Sequence, residues 1–390
     1  MTLVDAKKGA RSDTDERPAN VDPGPAAGFG GMHPVLVHDY LLIARGAERV
    51  FTTMCDLWPT APVSTLLYDP EVFDTRLAGH AIRTSRLQHL HLRQRHFKAL
   101  MPFFPAAAEH LDVADHDLVI SSSSAFGHGV RPDLGAVHVS YCHTPFRYAW
   151  YAEEAGLLQA PRLARPILRQ QLSRIREWDR DSAQRETFYV ANSRISQARI
   201  AEFWGREAPI VHPPVELARF GVGEAEDFLL VVGEIVLHKR FEIALEAAKR
   251  ARRPIKVVGG GADEARLTAL YGDSAEFLGR VGDAELSQLY RRCAALVMPS
   301  VEEFGIAAVE AQASGRPVIA AGAGGSLETI VDGKTGLFYA PDDIDALAEI
   351  LAASDSWGFA PEDCVENAQR FSRERFEREF TQQVLAAVTR

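Results

Sequence analysis

Residues 301–330 read VEEFGIAAVEAQASGRPVIAAGAGGSLETI. An apolar run, AALVMPS (294–300), ends just before them, and Ile306, Val309 and Ala313 recur at helical spacing up to Gly315. This pattern predicts a strand, a loop and then a helix from Gly305 to Ser314. Glu302 falls on the loop and Glu310 in the second helical turn, with seven residues between them. The peptide N–H groups of Phe304, Gly305 and Ile306 lie at the helix's positive end, where intrahelical acceptors are lacking. A carboxylate accepts two neighbouring hydroxyls at once, so the stretch reads as an anion pocket flanked by two grips for diols. Gly324 and Gly325 precede a second short helical run, SLETIV, and can offer backbone donors to a diphosphate in the same manner. Phosphate on helix starts and diols on acids together describe a nucleotide sugar.

The surrounding pattern is that of wound parallel sheets. PVLVH (34–38), DLVISSS (117–123), AVHVSYCH (136–143) and TFYVANS (187–193) are short, branched and apolar, and helical stretches such as EVFDTRLAG and LRQQLSRIREWDRDSAQR lie between several of them. The alternation restarts at DFLLVVGE (227–234) and runs through PIKVVGGG (254–261), AEFLGRV (275–281), AALVMPS (294–300) and PVIAAGAGG (317–325). Between the halves, VHPPVELARFG carries Pro213 and Pro214, which suit a domain junction. The expected architecture is α/β, with two facing doubly wound domains: an N-terminal one over residues 33–215, a C-terminal one over 216–371, and a last helix, 372–390, crossing back to the first. Ligands of such sheets bind beyond the carboxyl ends of the strands, which puts the site in the cleft. Residues 1–32 mix charge, Pro and Gly without apolar period and read as a disordered tail lacking the apolar core of a signal peptide.

At 390 residues the chain is long enough for two cores. Its formal charge of −10 argues against a general nucleic-acid binder, which needs surplus Lys and Arg to neutralise phosphates. The four cysteines form no C-x-x-C pair, so neither a zinc site nor a disulfide framework is expected, and a reducing cytoplasmic location follows. No run reaches the ~20 apolar residues of a membrane span.

Across residues 299–339, the run PSVEEFGIAAVEAQASGRPVIAAGAGGSLETIVDGKTGLFY resembles the signature of the family 4 retaining glycosyltransferases, which have the GT-B architecture. In the N-terminal half HDYLLIARGAERV, SSSSAFGHGVRP, SYCHTPFRYAW, REWDRDSAQR and VANSRISQARI resemble the bacterial mannosyltransferase-like branch. The resemblance implies that Glu302 contacts hydroxyls of the transferred sugar and Glu310 the ribose diol of the donor. Phe304, Gly305 and Ile306 would hold sugar and diphosphate through backbone groups, and His143 would bond the sugar near its anomeric carbon. In GEIVLHKRFEIALEA the family places an Arg and, five residues later, a Lys on the donor phosphates. Lys239 matches, but Glu234 stands at the Arg position, and a carboxylate repels a diphosphate. Arg240, beside Lys239, is expected to take over that charge. The family's glycine turn after the first strand corresponds to Arg45, Gly46 and Ala47, of which only Gly46 keeps the pattern. Backbone near Arg280 and Val281 would pair with the base, leaving guanine, uracil and thymine open, with GDP-mannose the first choice by branch. No protein cofactor or metal is implied. The lone D-x-D, Asp179 to Asp181, sits in a helical pattern and reads as a salt-linked face.

For the acceptor, residues 83–104 carry five cationic residues and no acid among Leu and Phe, as does a segment that rests on anionic lipid or a solvated basic face. The expectation is a peripheral enzyme at the inner membrane face that glycosylates a lipid-linked or polysaccharide-precursor glycan. Three rivals stand beside it: a UDP- or dTDP-sugar transferase acting on a small molecule, a degenerate donor-binding protein, and a nucleotide-sugar epimerase. A dinucleotide-dependent oxidoreductase is suggested by VVGGGADEARL (257–267), which lacks a true G-x-G-x-x-G.

Overall fold

The computed structural model describes residues 29, 31–90, 94–158, 161–185 and 187–390; nearly all of the expected N-terminal tail lies outside them. Two all-parallel six-stranded sheets form two domains. The first contains β1 (Pro34–His38), β2 (Val63–Thr65), β3 (Ile82–Thr84), β4 (Leu118–Ser123), β5 (Val137–Cys142) and β6 (Phe188–Ala191), in the order β3-β2-β1-β4-β5-β6. The second contains β7 (Leu229–Val232), β8 (Ile255–Val258), β9 (Glu276–Gly279), β10 (Ala295–Met298), β11 (Val318–Ala321) and β12 (Gly336–Tyr339), in the order β12-β11-β10-β7-β8-β9. The winding reverses between β1 and β4 in one sheet and between β7 and β10 in the other, and crevices open at such points.

Helices cover both faces of each sheet, so alternate strand residues enter different cores. Leu36 joins the cluster with Phe51, Tyr141 and Phe380, whereas Val35 and Val37 join the one with Phe104, Phe126 and Leu172. Double burial makes these strands continuous apolar runs, which is why they are legible. β2 and β3 (VST and IRT) are too short for such a signal, and they and the edge strand β12 (GLFY) are additions to the expected set. The expected helix over EVFDTRLAG is reduced to Pro70–Phe73.

The chain passes between domains twice, side by side: Val215 N–H donates to Phe371 O at 2.9 Å, and Val215 pairs with Ser372 as a parallel bridge. The last helix, Arg373–Val388, begins with Ser372 as N-cap and packs on the first domain. Its Phe376 and Phe380 both meet Tyr141 edge-on at 5.6 Å, and Phe380 also meets Trp58 at 6.2 Å.

Candidate active site

The loop after β10 carries the acids. Gly305 adopts φ +88°, the left-handed region, and caps the helix Ile306–Ala313. This turn holds Glu302 at the cleft, where one oxygen takes the Lys239 ammonium and the other the Ser300 hydroxyl. Lys239 comes from a single 3-10 turn, Leu237–Lys239, after β7. Two of the residues expected to handle the donor, distant in sequence, are therefore in direct contact. Glu310 lies lower in the cleft, buried, with Tyr290 Oη donating to it at 2.9 Å and Arg49 Nη1 at 3.4 Å. Burial pushes its carboxyl above the usual range, against the pull of Arg49.

Glu303, to which the sequence reading assigned no role, binds the two domains together. Both of its carboxylate oxygens accept from Arg147 Nη2 at 3.3 Å, and Oε1 also accepts from Arg199 Nη1 at 3.1 Å and from Tyr151 Oη at 2.8 Å. Burial opposes its ionisation, but Arg147, Tyr151, Arg199 and Lys239 outweigh burial and hold the carboxyl at about 2. Arg199 and Tyr151 also bond Thr144, the residue after His143, so this cluster brings the His143 loop to the Glu302 loop. His143 itself is buried beside Tyr141, its Nε2 2.9 Å from Ser122 Oγ. The adjacent loops of the first domain are fixed by Asp39, which accepts from the amides of Ser124, Phe126 and Gly127 and from the Ser123 hydroxyl. Arg45, Arg49, Arg147 and Arg199 lie inside the first-domain motifs, and Tyr151 directly follows one of them; what marks them is that each is a polar side chain at a strand's carboxyl end or on the helix that follows.

The glycines prove to be sites of close packing. A Cβ on Gly324 would sit 2.5 Å from Glu302 O, and one on Gly325 2.3 Å from Phe304 Cα. The Gly325 amide donates to Glu302 O at 2.8 Å, so this donor holds the acidic loop, and a diphosphate would not find it free. Phe304 is buried between His212 and Phe371, and Ile306 is partly buried beside it. Glu328 accepts from the Arg194 amide at 2.9 Å and meets His212 Nε2 at 2.9 Å. Gly46 faces Ile306 across the cleft, where an added Cβ would lie 3.1 Å from Ile306 Cδ1. Arg280 and Val281 follow β9 at its carboxyl end, with Arg280 over Gly260.

Two expectations change. Arg240 does not stand in for the missing Arg: at φ +54° it turns its guanidinium to Asp342, 3.3 Å away. The cation beside Glu234 is Arg45, at 3.1 Å. Asp179 is not on a salt-linked face either. It is fully buried and accepts from the indoles of Trp150 and Trp204 at 2.7 Å each, with His128 Nε2 at 2.9 Å, while Asp181 is exposed. The VVGGGADEARL turn is likewise a packing device, because a Cβ on Gly259 would lie 1.8 Å from Gly233 O and one on Gly261 2.2 Å from Ile235 O. Among the described residues, no three His, Cys, Asp or Glu side chains are grouped to hold a metal ion. Of the basic segment, residues 91–93 and the side chains of 94–98 fall outside the described residues; Leu90 and Phe103 are exposed. No helix among the described residues is long and apolar enough to cross a membrane.

The buried histidines carry a pH prediction. Burial, helped by His38, pushes His143 down to about 3, and burial with His128 and Arg185 does the same to His138. An unfolded histidine binds its proton near pH ~6.5, so below that point the unfolded chain takes up protons that the folded chain refuses. Each histidine should therefore cost about 1.4 kcal/mol of stability per pH unit between roughly 6.5 and 3. Glu303, whose stabilisation is full above the unfolded value of ~4.3 and is lost as pH falls toward 2, adds to the loss in acid. Urea unfolding at about pH 7, 5.5 and 4 should show the decline, and His143→Gln should make it shallower by about one proton. An unchanged slope in that variant would contradict a neutral His143.

Residues 216–371 match the family model described as "Glycosyl transferases group 1". A D-inositol 3-phosphate glycosyltransferase of Frankia alni is 35% identical over 159 residues, covering 36% of this chain and 39% of that protein. The O-antigen chain mannosyltransferase C of Escherichia coli is 29% identical over 206 residues, covering 50% and 54%. The chain thus spans about half the length, or less, of these curated relatives. Anabaena HepE, solved in complex with UDP-glucose, superposes with a TM-score of 0.67 at 17% identity, covering 90% of this chain and 99% of that one. The wound sheets, the acidic loop after β10 and the match over it agree: residues 216–371 are a domain of the glycosyl transferases group 1 family, in a chain of GT-B fold.

Proposed function

We propose that the chain transfers a hexose, with retention and without a metal, from a nucleotide sugar to a lipid-linked or polysaccharide-precursor acceptor, mannose from GDP-mannose being the first choice. The observation that carries this reading is the contact of Lys239 with Glu302 at the cleft, on a loop that Glu303 ties to the His143 loop. A cation there can stabilise the charge that builds on a departing diphosphate while Glu302 accepts sugar hydroxyls, and interactions that strengthen in the transition state raise the rate. The bond from the anomeric carbon to the diphosphate breaks as the acceptor oxygen bonds to the same face, and a departing phosphate oxygen takes the acceptor's proton. His143, uncharged at neutral pH, is suited to hydrogen-bond the sugar. Mannose is supported by the E. coli relative's name, and a UDP-sugar donor by the HepE complex. Exposed Leu90 and Phe103 in the basic segment support contact with a membrane-borne acceptor.

Calorimetric titration of GDP, UDP and dTDP and their sugar conjugates, without metal, tests the donor site. Binding of one nucleotide at about micromolar Kd is expected. Binding of none overturns the reading. Glu234 in place of an arginine favours a second one, a donor-binding protein that does not transfer; tight binding with no sugar transfer to any lipid or glycan acceptor would support that instead.

A further inference from the structure

We propose that Arg45, from the first domain, supplies the diphosphate-binding guanidinium that the loop after β7 lacks, and that Glu234 aims it. The inference rests on the donor reading above. Arg45 ends the loop after β1 and precedes the helix Gly46–Leu57; its amide donates to Glu48 Oε2 at 2.9 Å, which fixes the backbone. From there its side chain crosses the cleft to Glu234, Nη2 to Oε1 at 3.1 Å. Glu234 lies five residues before Lys239, on the same loop, whose backbone is clamped by Gly259 and Gly261. The guanidinium is thus held on the loop that carries Lys239.

Charge explains the arrangement. An uncompensated carboxylate beside a diphosphate repels it, whereas a carboxylate that carries an arginine is neutralised and leaves the remaining donors of the fork to point elsewhere. Arg45 makes one contact with Glu234 through one of its nitrogens, and among the described residues no other carboxylate holds it. Four neighbouring arginines are committed elsewhere: Arg49 to Glu310 and Asp283, Arg147 and Arg199 to Glu303, Arg240 to Asp342. Arg45 and Glu234 are 49% and 37% exposed, so their pair adds little to stability, and holding the domains together does not account for it. Because the arginine and Lys239 belong to different domains, a diphosphate held between them bridges the cleft, and a nucleoside monophosphate does so less well.

The test compares wild type, Arg45→Ala and the double variant Arg45→Gly/Glu234→Arg, which returns the arginine to the second domain. Calorimetry with GDP and GMP, and with UDP and UMP, is read alongside circular dichroism to confirm folding. Loss of one charge-assisted contact should weaken diphosphate binding about 10- to 100-fold in Arg45→Ala, with the monophosphate changed less than about threefold. The double variant should return diphosphate binding to within about threefold of wild type. Unchanged diphosphate binding in Arg45→Ala, or no recovery in the double variant, overturns the assignment of Arg45 alone. Failure of the wild type to bind any diphosphate overturns the donor reading, and this inference with it.

Discussion

Glu302→Ala and Lys239→Ala should each reduce sugar transfer about 100- to 1,000-fold while leaving the fold intact. The magnitude is that of removing one preorganised group from a developing charge. The two side chains are 18% and 26% exposed and are bound to each other, and each variant leaves its partner at the open cleft rather than in the core. Lys239→Ala should weaken nucleoside-diphosphate binding as well as turnover, because the lysine meets the phosphate in both ground and transition states. Glu302→Ala should act chiefly on turnover of the sugar donor and leave binding of the nucleotide alone nearly unchanged. Initial rates with the donor identified by calorimetry, beside thermal unfolding, check both; near-normal turnover in either variant would sink the site assignment.

Truncation after Ser372 should abolish cooperative folding of the first domain, although the lost residues lie beyond the second. Phe376, Phe380 and Val384 are fully buried against Tyr141, Trp58 and the rest of the first core. Removing even one buried Phe side chain costs about 3–5 kcal/mol, and both of these lost together with Val384 rival the ~5–15 kcal/mol of a whole domain. Arg373 adds ties to Asp56 at 2.8 Å and Glu216 at 3.1 Å that keep the two interdomain passages together. The graded variant Phe380→Ala should stay folded with an unfolding free energy lower by about 3–5 kcal/mol. A truncated chain that melts like the full one would show that the helix is an appendage.

Arg45, Glu303 and Asp179 show where sequence reading stops. Arg45 looks like a defect when the motif is read along the chain, an arginine where a glycine is usual, and Glu234 looks like another. Only across the cleft do they become one ion pair. Glu303 sits beside the expected Glu302 and carries no signal of its own, because its partners lie 104 to 156 positions away, Arg147 and Tyr151 on the short helix Arg147–Trp150 and its cap and Arg199 at the end of the helix Arg194–Arg199. Asp179 looks like a surface acid on an amphipathic helix until Trp150 and Trp204 close over it.

What the sequence determined by itself was local in origin: doubly buried strands as apolar runs, the helix after Gly305, and the acids Glu302 and Glu310 at their spacing. Periodicity and turn chemistry act over a few residues, so they are written in the chain's order. Tertiary structure alone decided which charges meet: Lys239 with Glu302, Arg49 with Glu310, Arg45 with Glu234, and the Gly325 amide with the Glu302 carbonyl. Charges act through space at a few ångströms, and two loops at the ends of different sheets come that close only when both domains have folded and face each other.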